Sequence, residues 1–363
     1  MTGVRRVTEL ISKYGVEAFA AAGEESMLHS ESLSRKMISQ LPRGTFRATD
    51  YLEGPNGEDL RLSVRVIVSS DAVALDYEGT SPQVDFPLNA VLGVTISGAY
   101  FVLRCLLGDG IPANHGAFSP INVSAPSGCL LNPTSPHPVG AGNVETSQRN
   151  ADVVLLAFSK AIPKGVPAAA GGSMNNVMLG GRWRNSTWAF YETIGVGLGG
   201  SSSRDGIDGI QCNMTNTMNT PIEEIERSYP LLMTRYEFRP DSAGAGRMRG
   251  GCGVVRTYRI LAEETIFTVV ADRGRHRPWG LSGGLEGAGT EVVWDRGGVP
   301  SKTRIKATLR PSPDDEITFF TAGGGGHGEP KSRSRAALRR DIESGLLSKS
   351  KARDDYGYVV PNP

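Results

Sequence analysis

Leu131–Gly181 reads LNPTSPHPVGAGNVETSQRNADVVLLAFSKAIPKGVPAAAGGSMNNVMLGG. A Pro/Gly-rich loop, a polar cluster, one apolar helix and a second glycine-polar loop follow one another without a break. Asn143, Glu145, Thr146 and Ser147 crowd the first loop, and Gly171–Asn176 form the second. Small residues of this kind build cores poorly, but they let backbone amides and short side chains approach a ligand. The spacing of Val153, Val154, Leu156, Ala157 and Ala161 predicts a helix over 148–162. The polar cluster then falls at its N-terminus, where free N–H groups and the helix dipole favour an anion or a polarised carbonyl. A plain cap by Thr146 or Ser147 is the alternative.

Upstream, apolar residues at helical spacing over 5–22 and 25–41 predict a helical hairpin, with a stop at Gly23 and an end at Pro42-Arg43-Gly44. Such a hairpin is expected to pack on something larger. From Gly44 the period changes to two. Leu62, Val64, Val66 and Val68 alternate with Arg61, Ser63 and Arg65, Ser70-Asp71 turns, and Val73, Leu75 and Tyr77 return. This is an antiparallel hairpin with one wet face. Ala90–Leu107 is apolar enough for a membrane check, but its Thr95, Ser97, Arg104 and internal glycines make it a buried helix, with Cys105 as an ordinary core residue.

Downstream of Gly181, strand-like runs recur, each bounded by Gly, Pro or Asp: LLMTRYEFRP, GVVRTYRIL, TIFTVVADR, EVVWD, TRIKATL and DEITFFT. The fold class is therefore α+β: mostly antiparallel sheets with flanking helices, an N-terminal helical hairpin and glycine-rich loops. The division expected is 1–130 (helical hairpin, β-hairpin, buried helix) and 131–363 (glycine-rich β domain with C-terminal helices), with one continuous unit as the alternative. Residues 331–353 carry a basic face and apolar Ala337, Leu338, Ile342 and Leu346, which suggests an amphipathic helix packed on the body.

Glycine makes up 46 of 363 residues, about twice its usual share, with no collagen-like period. The net charge of +1 gives no reason to expect nucleic acid or an anionic membrane as partner. Four scattered cysteines and five scattered histidines show no metal-ligand or disulfide spacing. The opening MTGVRRVTEL lacks a signal peptide's apolar run, so a cytoplasmic protein is expected. The echo of GxGxxG at Gly195, Gly197 and Gly200 lacks the helix that a dinucleotide fingerprint requires. His327, in the glycine loop Ala322–Gly328 that leaves the last strand, either titrates in a site or is an ordinary loop histidine.

Several long strings go further. VGAGNVETSQRNADVVLLAFSKAIP, AGGSMNNVMLGG, MTNTMNTPIEEIE, YPLLMTRYEFRPDSAGAGRMRGG, FTAGGGGHGEP and LLSKSKARDDYGYVV closely resemble the hydantoinase B/oxoprolinase family, over about 7–360. The resemblance implies a subunit of an ATP-dependent cyclic-amide hydrolase. A hydantoinase A-type partner would bind ATP and Mg and phosphorylate the substrate carbonyl, in a hetero-oligomer. A ketone carboxylase subunit of the acetone or acetophenone type, or a non-catalytic assembly subunit, are the alternatives. Family members are usually longer at the N-terminus, where a G-D-x-x-x-x-N-D-P motif and an H-x-x-D look like the seat of a divalent metal, Zn or Mn. Neither motif occurs in this sequence, so a separate chain or missing half is expected to carry it, and no metal ligand is assigned here.

An activated carbonyl and a phosphate call for oriented amide donors. Asn143, Asn175, Asn176, Asn213, Asn216 and Asn219 are the candidate donors, with Ser173 beside them and Gly171, Gly172, Gly324 and Gly325 baring backbone N–H groups. The asparagines of MTNTMNTP serve equally well as turn formers. Glu145 is the first choice for a general base; a carboxylate bonded to nearby backbone amides is the alternative. Arg149 would pair with Glu145 or meet phosphate.

Overall fold

In a computed structural model that describes residues 1–360, the chain builds three sheets around two main cores. The first sheet has the order β1 (Gly44–Glu53), β2 (Asp59–Val68), β3 (Val73–Asp76), β4 (Ile121–Ser124). The first three strands are antiparallel and β4 runs parallel to β3. The parallel step needs a crossover, and α3 (Leu92–Leu107) supplies it. Leu60, Leu62, Val64, Val66 and Val68 all face inward along β2, as the period of two requires. Against them lies α4 (Ser147–Ser159), whose Val153, Val154, Ala157 and Phe158 are buried. Leu130 and Leu131, on either side of the expected division, both belong to this core.

The other two sheets face each other across the second core. One has the order β12 (Lys306–Leu309), β9 (Glu264–Val270), β5 (Asn176–Trp183), β6 (Ser186–Thr193). The other is β11 (Val299–Lys302), β10 (Glu291–Arg296), β13 (Glu316–Phe320), β8 (Val254–Ile260), β7 (Leu231–Phe238). Both are antiparallel throughout. Val177, Leu179 and Phe267 from one meet Tyr258, Ile317 and Phe319 from the other, the interdigitation expected of packed sheets. Arg184 and Asn185 both hold positive φ (47° and 63°), the backbone of a two-residue hairpin turn between β5 and β6. The short helix α5 (Ile222–Ser228) precedes β7.

Four expectations are corrected. The N-terminal helices are α1 (Thr2–Tyr14) and α2 (Val16–Ile38), and they divide at Gly15, which takes φ 84°, whereas Gly23 stays helical. A glycine stops a helix only when the chain uses its left-handed freedom. The hairpin also packs less than expected: α1 buries no residue, and α2 is buried only at Ser30, Ser34 and Ile38. There Gly116 lies so close that a Cβ would fall 1.9 Å from the Met27 carbonyl oxygen. Cys105 is exposed on the outer side of α3. The basic C-terminal stretch folds as two helices, α6 (Arg335–Glu343) and α7 (Lys349–Tyr356), which pack through Leu338, Ala352 and Tyr356 on Ala245. No helix among the described residues is long and apolar enough to cross a membrane.

Candidate functional site

The polar cluster enters α4 through one turn of π-helix, Gly142–Thr146. Single π turns are often found at functional sites. Gly142 is wedged against the preceding chain: a Cβ there would meet the Asn89 carbonyl at 2.0 Å. The turn leaves Asn143 exposed and buries Glu145 completely. Its amides are not free, as a helix N-terminus had suggested. Val144 and Glu145 donate to the Ala141 carbonyl, and Ser147 to that of Gly142. Thr146 and Ser147 do not cap either: their hydroxyls donate to the carbonyls of Leu88 and Asn143.

What the turn delivers is the Glu145 carboxyl. The second loop crosses it, and its Oε1 accepts from the Met174 amide (3.2 Å) and from Asn176 Nδ2 (2.7 Å). Asn176 is held in that orientation by donating also to the Val270 carbonyl (3.0 Å) and accepting from Tyr191 Oη (2.7 Å). Tyr191 is half exposed, so two hydrogen bonds connect Glu145 with the surface. Glu145 Oε2 is buried and has no partner among the described residues.

Beneath Glu145 lies a buried charge network that the sequence reading missed. Arg149, fully buried, reaches Asp50 (3.2 Å) and Asp272 (2.8 Å). Arg273 pairs with Asp50 (3.2 Å) and Asp152 (2.5 Å), and Lys306 with Asp272 (2.7 Å). Arg149 therefore meets neither Glu145 nor an open phosphate site, because two aspartates already fill its guanidinium fork. Gly172 holds φ 49° and passes so near the network that a Cβ would fall 2.7 Å from Asp152 Oδ2. Asn213 donates to Asp152 (2.9 Å), and Ser173 Oγ accepts from the amides of Asn175 and Asp272.

Four carboxyls thus face three permanent cations. Burial disfavours charge on all four acids, but Arg273 and Arg149 outweigh it for Asp50, and Lys306 and Arg149 for Asp272. Both stay below the ordinary carboxylate range. Asp152 is raised by burial despite Arg273. Glu145 has no ion-pair partner; burial, opposed by Lys306 and reinforced by Asp272, pushes it up to about 8. At neutral pH it keeps its proton. The Met174 and Asn176 donors both engage Oε1, which leaves Oε2 as the oxygen to carry the proton. A carboxyl poised near neutrality is a group suited to both giving and taking a proton.

The structure thus brings together Glu145, Ser173, Asn175, Asn176, Gly172, Arg149 and Asn213, with Asn143, Thr146 and Ser147 on the adjoining turn. Gly171 faces Val196, Asn219 donates to the Thr193 carbonyl, and Asn216 is exposed. Gly324 and Gly325 stand apart, each pressed against other backbone. His327, expected in a surface loop, is buried with Nε2 beside the Pro163 carbonyl. Among the described residues no three His, Cys, Asp or Glu side chains form a metal-binding group. The network aspartates do not fit a divalent cation, since arginine and lysine already occupy their oxygens.

Comparison with known proteins identifies the family. The Hydantoinase B/oxoprolinase family model matches residues 1–330. An uncharacterized protein of Methanocaldococcus jannaschii is 40% identical over 98% of this chain and 62% of its own length. 5-Oxoprolinase 1 of Arabidopsis thaliana is 33% identical over 90% of this chain and 26% of its own. The crystal structure of an ATP-dependent caprolactamase from Pseudomonas jessenii superposes with a TM-score of 0.90, at 28% identity, covering 99% of this chain and 65% of that one. The chain spans less than two thirds of each of these relatives.

Proposed function

Because the chain belongs to the hydantoinase B/oxoprolinase family, we propose that it supplies the acid–base group of an ATP-dependent cyclic-amide hydrolase. The reading is that a hydantoinase A-type partner phosphorylates the ring carbonyl with ATP and Mg, and that this chain receives the activated amide. The observation carrying it is Glu145: fully buried, protonated at neutral pH, with both donors on Oε1 and its proton on the unpartnered Oε2. Opening an activated ring amide requires a proton on the departing nitrogen and the loss of one from attacking water. A carboxyl titrating near 8 can do both in turn, worth roughly 10²–10⁴ in rate. Asn176 and Met174 hold the carboxyl in place, and Tyr191 and Asn143 mark where this layer meets solvent. Zinc or manganese belongs, on this reading, to the part of the relatives' length that lies outside these residues.

The test is turnover in the reconstituted complex with a hydantoinase A-type partner. ATP hydrolysis should depend on a cyclic amide such as 5-oxoproline, a hydantoin or caprolactam. Glu145→Gln should lower that turnover by about 10²–10⁴ while leaving ATP binding unchanged. Full activity in Glu145→Gln would remove Glu145 from the chemistry. Turnover only with a ketone and bicarbonate would make the chain a carboxylase subunit.

A further inference from the structure

On the far side of Lys306 from Glu145's network, a cleft of about 270 Å³ opens to solvent. Its walls are the β1–β2 turn at Gly54–Gly57, the Gly274–Arg275 segment, the start of β10 and the connection from Lys302 to Lys306. Four cations line it, Arg275, Lys302, Arg304 and Lys306, against two acids, Glu53 and Glu291. The acids are already engaged. Glu291 is bound by Lys302 and Arg239, and Glu53 Oε1 accepts from the amides of Arg275 (2.6 Å) and His276 (3.3 Å).

The cations are less fully engaged than the acids. Arg275 spends its charge on Asp59 (2.7 Å), but among the described residues Arg304 makes one side-chain bond, to the Pro55 carbonyl at 3.3 Å, and no ion pair. Lys306 uses two of its three N–H groups, on Asp272 (2.7 Å) and the Ala271 carbonyl (2.6 Å). Thr290, 2% exposed, also lines the cleft, and its Oγ1 has no hydrogen-bond partner. A buried hydroxyl without a partner costs roughly 1–3 kcal/mol, and a ligand oxygen would relieve it.

We propose that this cleft is a binding site for a small oxyanion, a carboxylate or a phosphate, held by Arg304 at the rim and by Thr290 and Lys306 at the floor. A guanidinium fork, a hydroxyl and an ammonium offer donors to two or three oxygens at once. The cleft sets an arginine without an ion-pair partner among the described residues beside a buried hydroxyl that has no partner among them. The site stands independently of the acid–base reading, because its test measures binding and not turnover.

Isothermal titration of the purified chain with inorganic phosphate and, separately, with 5-oxoproline as its carboxylate provides that test, with chloride as the control ion. One saturable site per chain is expected for at least one probe. Arg304→Gln should weaken it about tenfold or more, since a charge-assisted hydrogen bond is lost. Thr290→Val, which keeps the shape, should weaken it several-fold, and Arg310→Gln, outside the cleft, should leave it unchanged. Binding of phosphate alone assigns a phosphoryl ligand, and binding of 5-oxoproline alone a carboxylate. No saturable binding by either probe, or wild-type affinity in Arg304→Gln, would overturn the site.

Discussion

Gly171–Asn176 and Ala322–Gly328 are both dense in glycine and both follow or precede a strand, yet the fold uses them in different ways. In the second, a Cβ on Gly323, Gly324, Gly325 or Gly326 would lie 1.9–2.1 Å from the carbonyl oxygens of Ser242, Leu198, Trp279 and Ala245. Every face of that segment meets another backbone, and its amides donate to Ala288, Gly251, Ala169 and Leu285. It is a packed layer of main chain. In the first, the side chains reach beyond the loop: Asn176 Nδ2 donates to Glu145, Asn175 Nδ2 donates to the Ile194 carbonyl, and Ser173 Oγ accepts from the amides of Asn175 and Asp272. Composition alone cannot separate a glycine stretch packed backbone against backbone from one whose side chains reach into a buried polar network.

Substitution tests the packed layer. Gly324→Ala places a methyl 2.1 Å from the Leu198 carbonyl with backbone on either side, so nothing flexible can yield. A loss at or above about 5 kcal/mol, or no folded protein at all, is expected from chemical denaturation. Gly93→Ala, a helical position with open space around it, should instead be neutral or stabilising by up to about 1 kcal/mol. If both variants behaved alike, the packed-layer account would fail.

Next in size is the network under the first loop. Asp272→Asn leaves Arg149 and Lys306 buried with one fewer counter-charge, and breaking a buried pair this way costs about 3–5 kcal/mol. Urea midpoints at pH 7 measure it, and a loss below 1 kcal/mol would show that the cations are solvated.

The effect of Glu145 is spread along the pH axis, and per pH unit it is the smallest of these losses. Its carboxyl is held up to about 8 in the folded chain, against an ordinary 4.5 when unfolded. Between those values the unfolded chain releases a proton that the folded chain keeps, so stability falls as pH rises from about 4.5 to 8. The slope from this group approaches about 1.4 kcal/mol per pH unit. Below that window the group contributes nothing to pH dependence. Glu145→Gln should flatten the slope there.

The sequence carried much of this. Period-two alternation located β2 and β3, and six of the later strands followed from Gly, Pro and Asp boundaries. β11, four exposed residues with a proline, has no apolar pattern to betray it. Glu145 was legible as the only carboxylate in a polar cluster, and Asn176 as its neighbour on the second loop. The environment of Glu145 was not. Asp50, Asp152, the adjacent pair Asp272–Arg273 and Lys306 come from four separate stretches of the chain, and nothing in any one stretch points to the others. Their one local hint is Asp152, a charge on a helix buried nearly all round. The family strings pointed to the relatives but not to this pairing, because long-range ion pairs leave no periodic trace.

The account rests on a proton held by Glu145 at neutral pH. Labelling glutamate side chains with ¹³C and following the Glu145 carboxyl by NMR, assigned by its loss in Glu145→Gln, measures it directly. The expected result is a protonated carboxyl at pH 7 that titrates with a midpoint near 8. A carboxyl already ionised at pH 7, with its midpoint in the ordinary carboxylate range, would contradict it.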